Sequence, residues 1–268
     1  MLLAKTKPDK NIIMDCLCVV SACVVGLLAI QTYIKPEITS WWTLILHGGE
    51  NGSPIGNMGN QNLASAVVAF CFPAFLRTKP LIIMGSLITA LGLIMAKTFG
   101  GVLAVSSGVI VWALIRGNQK TVWLLLVGFC GLIYLKYIDQ PGSSARLQAW
   151  AEGWNITRQH PRFGCGLGNF KTVFPLLDTQ WGYLHNDVFQ SWFEMGIKTP
   201  MLILGFVCSY FWKAESIALI AGVIILVNSL VNFPFHIGTT AMMAITWLGL
   251  FNTPIRGGNG NWNCYSHI

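Results

Sequence analysis

"NIIMDCLCVVSACVVGLLAIQTYI", Asn11 to Ile34, is a run of 24 residues with a single charge, Asp15. About 20 helical residues cross the roughly 30 Å of hydrocarbon in a bilayer, so this run is long enough to be a span. It lacks the small-residue cleavage site of a secretory leader, so it reads as a span and not as a signal peptide. Working outward, similar apolar runs recur near 61–76, 80–96, 99–115, 121–135, 199–212, 216–233 and 238–252. Several are shorter than a full crossing. The expected fold is all-α, a polytopic integral membrane protein with about eight transmembrane helices and one long external loop. Composition agrees: 54% of the 268 residues are hydrophobic and 10% charged, where soluble domains carry about 25% charged residues.

The net charge of +7 forms no basic patch, and no nucleic-acid partner is expected. The cations stand at the ends of the runs. Lys5, Lys7 and Lys10 precede the first, while Arg77 and Lys79, Arg116 and Lys120, Lys213 and Arg256 follow the second, fourth, sixth and eighth. If the runs alternate, all of these fall on one side, which the positive-inside rule makes cytoplasmic. The other side keeps Lys35, Lys97 and the loop 136–197. The chain therefore divides into N-terminal spans (1–135), an external loop (136–197), and C-terminal spans with a short tail (198–268). Cys16, Cys18, Cys23, Cys71, Cys130 and Cys208 lie in apolar runs, and Cys165 and Cys264 are isolated. No metal-ligand spacing or disulfide framework follows, and no cofactor is expected. Asp15 has no evident partner. Few ionisable residues fall mid-span, which disfavours a transporter.

Polar chemistry gathers in the loop, above all in "RFGCGLGNFKTVFPLLDTQWGYLHNDVFQSWFEMG", Arg162 to Gly196. A short amphipathic helix is expected from a cap at Ser143 or Ser144 through about His160. It would carry Leu147, Trp150, Ala151 and Trp154 on one face and lie on the membrane surface. A second helix starts at Asn186, an N-cap residue followed by an acidic first turn, with Asn186, Gln190 and Glu194 along one stripe. Between them, Gly164, Gly166 and Gly168 have the spacing GxGxG. That is not a dinucleotide fingerprint; it makes either a turn back to the membrane or a close backbone approach to an anion.

His185 can take a proton from a hydroxyl, or simply cap or edge the helix. Arg146, Arg158 and Arg162 can grip a substrate phosphate or lipid headgroups. Glu194, near re-entry into the bilayer, calls for a cationic partner or a capping role. Lys97 can be no more than a loop cation, and His236 a helix breaker at the outer surface.

Together these words resemble the O-antigen ligase and polymerase family of bacterial membrane glycosyltransferases. The likeness rests on Arg146, Trp150, "HPRFGCGLGNF" (160–170), "HND" (185–187) and "EMG" (194–196). A second piece is "GNMGNQNLASAVVAFCFPAFL" (56–76), and the likeness spans about 55–252. The resemblance implies glycan transfer or polymerisation from a polyprenyl-diphosphate-linked donor to a hydroxyl acceptor on lipid or glycan. It implies the outer, periplasmic face of the bacterial inner membrane as the place, and a reaction without a metal. It implies His185 as the base and Arg146 as the diphosphate ligand, with Arg162, the three glycines, Asn186 and Glu194 shaping the substrate site. Members carry a further arginine near the outer end of a mid-chain span; here the stretch reads "KTFGGVLA" (97–104), with Lys97 as the substitute. The chain also reads as a short member lacking several N-terminal spans. A non-catalytic membrane scaffold or transport-associated subunit is the alternative.

The charge pattern makes one prediction. In a chain stripped of its own cysteines, a cysteine at Asp178 should react with a membrane-impermeant maleimide in intact cells. Reaction only after permeabilisation would invert the topology.

Overall fold

The computed structural model describes residues 9–34, 60–117, 141–173 and 184–250, and among these every regular element is helical. Helix α1 (Lys10–Ala29) starts at Asp9, whose carboxylate accepts from the Asn11 amide, and continues into one π turn, Ile30–Ile34. Helix α2 (Gln61–Cys71) is capped by Asn60, which accepts from the Asn62 amide at 2.7 Å. It tightens into a 3₁₀ turn, Phe72–Phe75, at Pro73, which has no N–H to continue the ladder. Helix α3 (Lys79–Ala96) has Pro80 in its first turn, where the missing N–H costs nothing. Lys97, in the left-handed region at φ 51°, ends α3, and α4 (Phe99–Ile115) follows Thr98 directly.

The loop contributes α5 (Pro141–Thr157), the single turn α6 (Phe170–Val173) and α7 (Asp187–Met195). Helices α8 (Lys198–Lys213), α9 (Ser216–Val231) and α10 (Gly238–Leu250) complete the order, with a 3₁₀ turn, Pro234–His236, between the last two. The expected run 121–135 lies outside the described residues.

Helix α2 is the hub. Every side chain from Leu63 to Cys71 is buried, and α1, α3, α4, α9 and α10 all pack on it. Helices buried all round need apolar residues on every face, and "LASAVVAFC" supplies small ones. Trp247 of α10 seals one side, donating its indole N–H to the Phe70 carbonyl at 2.8 Å.

The bundle is apolar on its outside as well as in its core. Ile83, Leu87, Leu91 and Ile94 of α3 are 48–70% exposed, and Met201, Leu202, Leu204 and Trp212 of α8 are 62–89% exposed. Ser21, Gln31, Ser65, Asn228 and Thr240 are fully enclosed. Apolar surface on this scale needs a covering, and a bilayer provides it. By length and composition two helices, Lys10–Tyr33 and Lys79–Ala96, can cross one. Helices α2 with its 3₁₀ turn, α4 and α9 are shorter apolar helices beside them.

Ion pairs mark one end of the bundle. Arg77 Nη2 lies 2.6 Å from Asp15 Oδ1, the partner that the sequence reading did not find, and Lys10 lies 4.0 Å from Glu215. At the opposite end, Gly100 at the start of α4 meets Asn232 at the close of α9.

Helices α4 and α9 approach closely because Gly108 has no side chain. A Cβ there would sit 2.6 Å from the Ile224 side chain. Overpacking of this kind typically costs about 1–3 kcal/mol. Gly108→Leu should lower the melting temperature of the detergent-purified protein, whereas Gly26→Leu, with open space around it, should not. Equal melts would refute tight packing at this crossing.

Candidate active site

The loop has a small core of its own, formed by Ala149, Phe170, Leu184 and Phe193, with Trp150, Ile156, Cys165 and Phe189 packed on it. Helix α5 faces it through small residues. Ala149, Gly153 and Thr157 are buried at i, i+4, i+8, and the Leu184 side chain occupies the space beside Gly153. The face expected to be apolar is turned outward: Leu147 is 42% and Trp154 49% exposed. The helix also begins at Pro141, ahead of the expected serine cap, and ends at Thr157 instead of His160. Its last turn tightens through Gln159 N–H to Ile156 O and His160 N–H to Thr157 O, before Pro161.

The glycine run is joined to α7 backbone to backbone. Cys165 N–H donates to Phe193 O at 2.8 Å, Gly166 N–H to Glu194 O at 2.9 Å, and Ile197 N–H to Pro161 O at 2.9 Å. Gly164 and Gly196 have φ +69° and +81°. A Cβ on Gly164 would lie 2.5 Å from the Glu194 carbonyl carbon, and one on Gly196 would lie 2.2 Å from Arg162 O. These two glycines therefore serve the junction itself. Gly166 (φ +95°) turns beside Asn169, and Gly168 (φ +73°) faces open space. The tip projects Phe163 and Leu167, 76% and 75% exposed, with exposed Arg162 beside them and Lys198 Nζ 5.5 Å from the Phe163 ring centre.

This junction sets where α7 begins. Asn186 caps it, accepting from the Phe189 amide at 2.9 Å. The preceding residue, Leu184, is wholly buried, and side chains take both its backbone groups. Gln190 Oε1 accepts its N–H at 2.8 Å, and Trp150 Nε1 donates to its carbonyl at 2.7 Å. Gln190 Nε2 in turn donates to Glu194 Oε1 at 2.5 Å. The polar stripe of α7 thus runs inward at Gln190 and Glu194, both buried.

Between the clamped Leu184 and the capping Asn186 stands His185. Its φ is +54°, an uncommon conformation for a residue with a Cβ. It is half-buried, with its ring edge-on to Phe233, centres 4.7 Å apart. Strained backbone held by its surroundings is what functional side chains often show.

The structure brings the other candidates near it by degrees. Arg146 stands on α5 one turn before Trp150, whose indole reaches the carbonyl next to His185. Its side chain lies outside the described residues. Lys97 is exposed and three residues ahead of Gly100, which packs on Asn232, the neighbour of Phe233. Between α8 and α9 an apolar crevice lined by Ile203, Phe206, Tyr210 and Ile225 ends at Asp187 and Phe235.

Sequence reasoning missed Asp187 as a long-range partner. Burial pushes its carboxyl up from the usual range, and hydrogen bonds from His236 and from the Phe235 amide pull it back. The same hydrogen bond to Asp187 raises His236 above an ordinary histidine. The two titrate as a unit.

Residues 84–204, from mid-α3 through the first half of α8, match the O-antigen ligase family. This segment is therefore similar to O-antigen ligase/polymerase-like membrane proteins, a family that suggests glycan ligation in lipopolysaccharide synthesis. It takes in the whole loop, with His185, Arg146, Arg162 and the glycines, and leaves α1, α2, α9 and α10 outside. No curated protein matches the chain.

The loop junction is testable. Gly196→Ala puts a methyl onto the Arg162 carbonyl in a left-handed conformation, a strain of about 1–3 kcal/mol or more. Limited proteolysis of the loop should accelerate more in Gly196→Ala than in Gly168→Ala, which shares the left-handed strain but meets no neighbour. Equal rates would show that the glycines do not hold the junction.

Proposed function

We propose that this chain transfers a glycan from a polyprenyl-diphosphate carrier to a hydroxyl on a lipid or glycan acceptor. The reaction belongs to the outer, periplasmic face of the bacterial inner membrane, which the chain crosses about eight times. His185 carries the reading: a histidine held in a left-handed conformation, with fixed backbone on both sides, at the mouth of a helix.

Chemically the step is a substitution at the anomeric carbon. His185 accepts the proton of the acceptor hydroxyl as its oxygen attacks, and the bond to the diphosphate breaks. The diphosphate leaves on its polyprenyl carrier, and Arg146 stabilises the charge it gains, through the bidentate geometry that suits phosphate. Arg162, exposed at the glycine tip, and Lys97 add cationic contacts. Gly164, Gly166 and Gly168 shape the loop over the donor. Asn186 and Glu194 serve the site from behind, as cap and inner brace. The crevice between α8 and α9 suits an isoprenoid or acyl chain reaching up from the membrane.

One observation favours a second reading. "KTFGG" offers a lysine where the resemblance implies an arginine, and a lysine lacks the planar fork. A chain that had lost diphosphate affinity would persist as a membrane scaffold.

Purified protein in lipid nanodiscs, given a polyprenyl-diphosphate-linked oligosaccharide and a glycolipid acceptor, distinguishes the two. His185→Ala should lower transfer by about 10²–10⁴-fold, the usual worth of a general base. Arg146→Lys should lose most of the activity although its charge remains. Wild-type rates in His185→Ala would remove it as the base. No transfer by the wild-type chain with varied donors and acceptors would favour the scaffold.

A further inference from the structure

His236 lies outside the stretch that matches the ligase family, 49 residues from Asp187. Yet the Asp187 carboxylate grips its turn twice. Oδ1 is 2.6 Å from His236 Nδ1, and Oδ2 accepts the Phe235 amide at 3.0 Å. The Asp187 side chain is 7% exposed and that of His236 28%. An aspartate in a first helical turn is favoured by the helix dipole, but that accounts for an exposed charge. A carboxylate enclosed by a distant turn is costly to desolvate unless its bonds are met, and here the turn meets them.

The same turn opens with Phe233, whose ring lies edge-on to His185. The next residue is tied to α10 by the Thr240 hydroxyl, which donates to the Pro234 carbonyl at 2.6 Å. The wall behind the His185 imidazole is thus set by a segment that Asp187, two residues along, holds in place. Leu184 and Asn186 fix the backbone of His185; they do not fix its ring.

We propose that Asp187 and His236 are positioning residues, whose clasp holds the Phe233–His236 turn against α7 and so orients the His185 imidazole for proton abstraction. This rests on the reading of His185 as the base. Misplacing a reacting group by about 1 Å costs on the order of 100-fold, so opening the clasp should lower kcat by about 10- to 100-fold and leave KM little changed.

The test uses the full chain in nanodiscs, with the variants Asp187→Ala, His236→Ala, the double variant and His236→Asn. The asparagine amide stands where Nδ1 does and can still donate to Asp187. Two quantities are read. One is kcat and KM with a polyprenyl-diphosphate-linked oligosaccharide and a glycolipid acceptor. The other, independent of turnover, is the rate at which diethyl pyrocarbonate modifies His185, followed by peptide mass spectrometry.

Each alanine variant should lower kcat and speed His185 modification. The double variant should be no worse than the worse single, because the pair acts as one device, and His236→Asn should recover most of the loss. Should Asp187→Ala fail to fold, His236→Ala carries the test, since His236 is partly exposed. Wild-type kcat and wild-type modification in His236→Ala would overturn the clasp, as would losses that multiply in the double variant. Faster His185 modification in the alanine variants of a chain that transfers no glycan at all would keep the clasp and defeat the glycan-transfer reading instead.

Discussion

Phe193 and Glu194 offer their carbonyls to the amides of Cys165 and Gly166, and main chain meets main chain with no side chain between. The rest of the loop depends on that contact. It joins the two ends of a segment whose middle carries His185, and it works only because Gly164 and Gly196 have no Cβ to keep the strands apart. Buried backbone polar groups must find partners. At the end of α7 the free carbonyls find them in the glycine run, and the helix is anchored by its C-terminus while its N-terminus presents the histidine.

A line of polar side chains then carries this order inward. Glu194 accepts from Gln190, Gln190 accepts from Leu184, and Leu184 accepts from Trp150. Each group is satisfied by the next, so enclosing them in the loop core brings no orphaned donor into a dry environment. This is why the polar stripe of α7 turns inward at Gln190 and Glu194.

The bundle supplies the opposite kind of interior. Its core is apolar, built from residues such as Leu28, Phe70, Ile224 and Trp247, and large apolar side chains also stand outside, where a bilayer would cover them. Helix α9 nonetheless packs directly on α7, and the turn that follows it, Pro234–His236, is bound by Asp187. The segment that matches the ligase family, residues 84–204, is thus packed against helices that lie beyond it. One wall of its histidine is Phe233.

Much was legible in the sequence because it is decided by neighbours along the chain. The apolar runs gave helix positions within a residue or two for α1, α3 and α4. Asn186 announced its helix as a cap, and the cations stand at the ends of the apolar runs. The order of Arg146, the glycines, His185 and Glu194 pointed to a ligase-like loop before any fold was known. What could not be read were choices between faces and between distant partners. The apolar positions of α5 read as a face for the membrane surface, and Leu147 and Trp154 are indeed exposed, but nothing in the pattern said that Ala149, Gly153 and Thr157 would carry the contact with the loop core, where small residues let α5 approach the Leu184 and Phe189 side chains. Asp15 with Arg77, and Asp187 with His236, are separated by 62 and 49 residues. Helix periodicity constrains side chains three or four residues apart; it says nothing about which remote turn will arrive beside a carboxylate. Sequence alone determined the positions of the helices and the family-like loop. Tertiary structure decided which polar groups are used up inside, because that depends on which backbones can come close enough to touch.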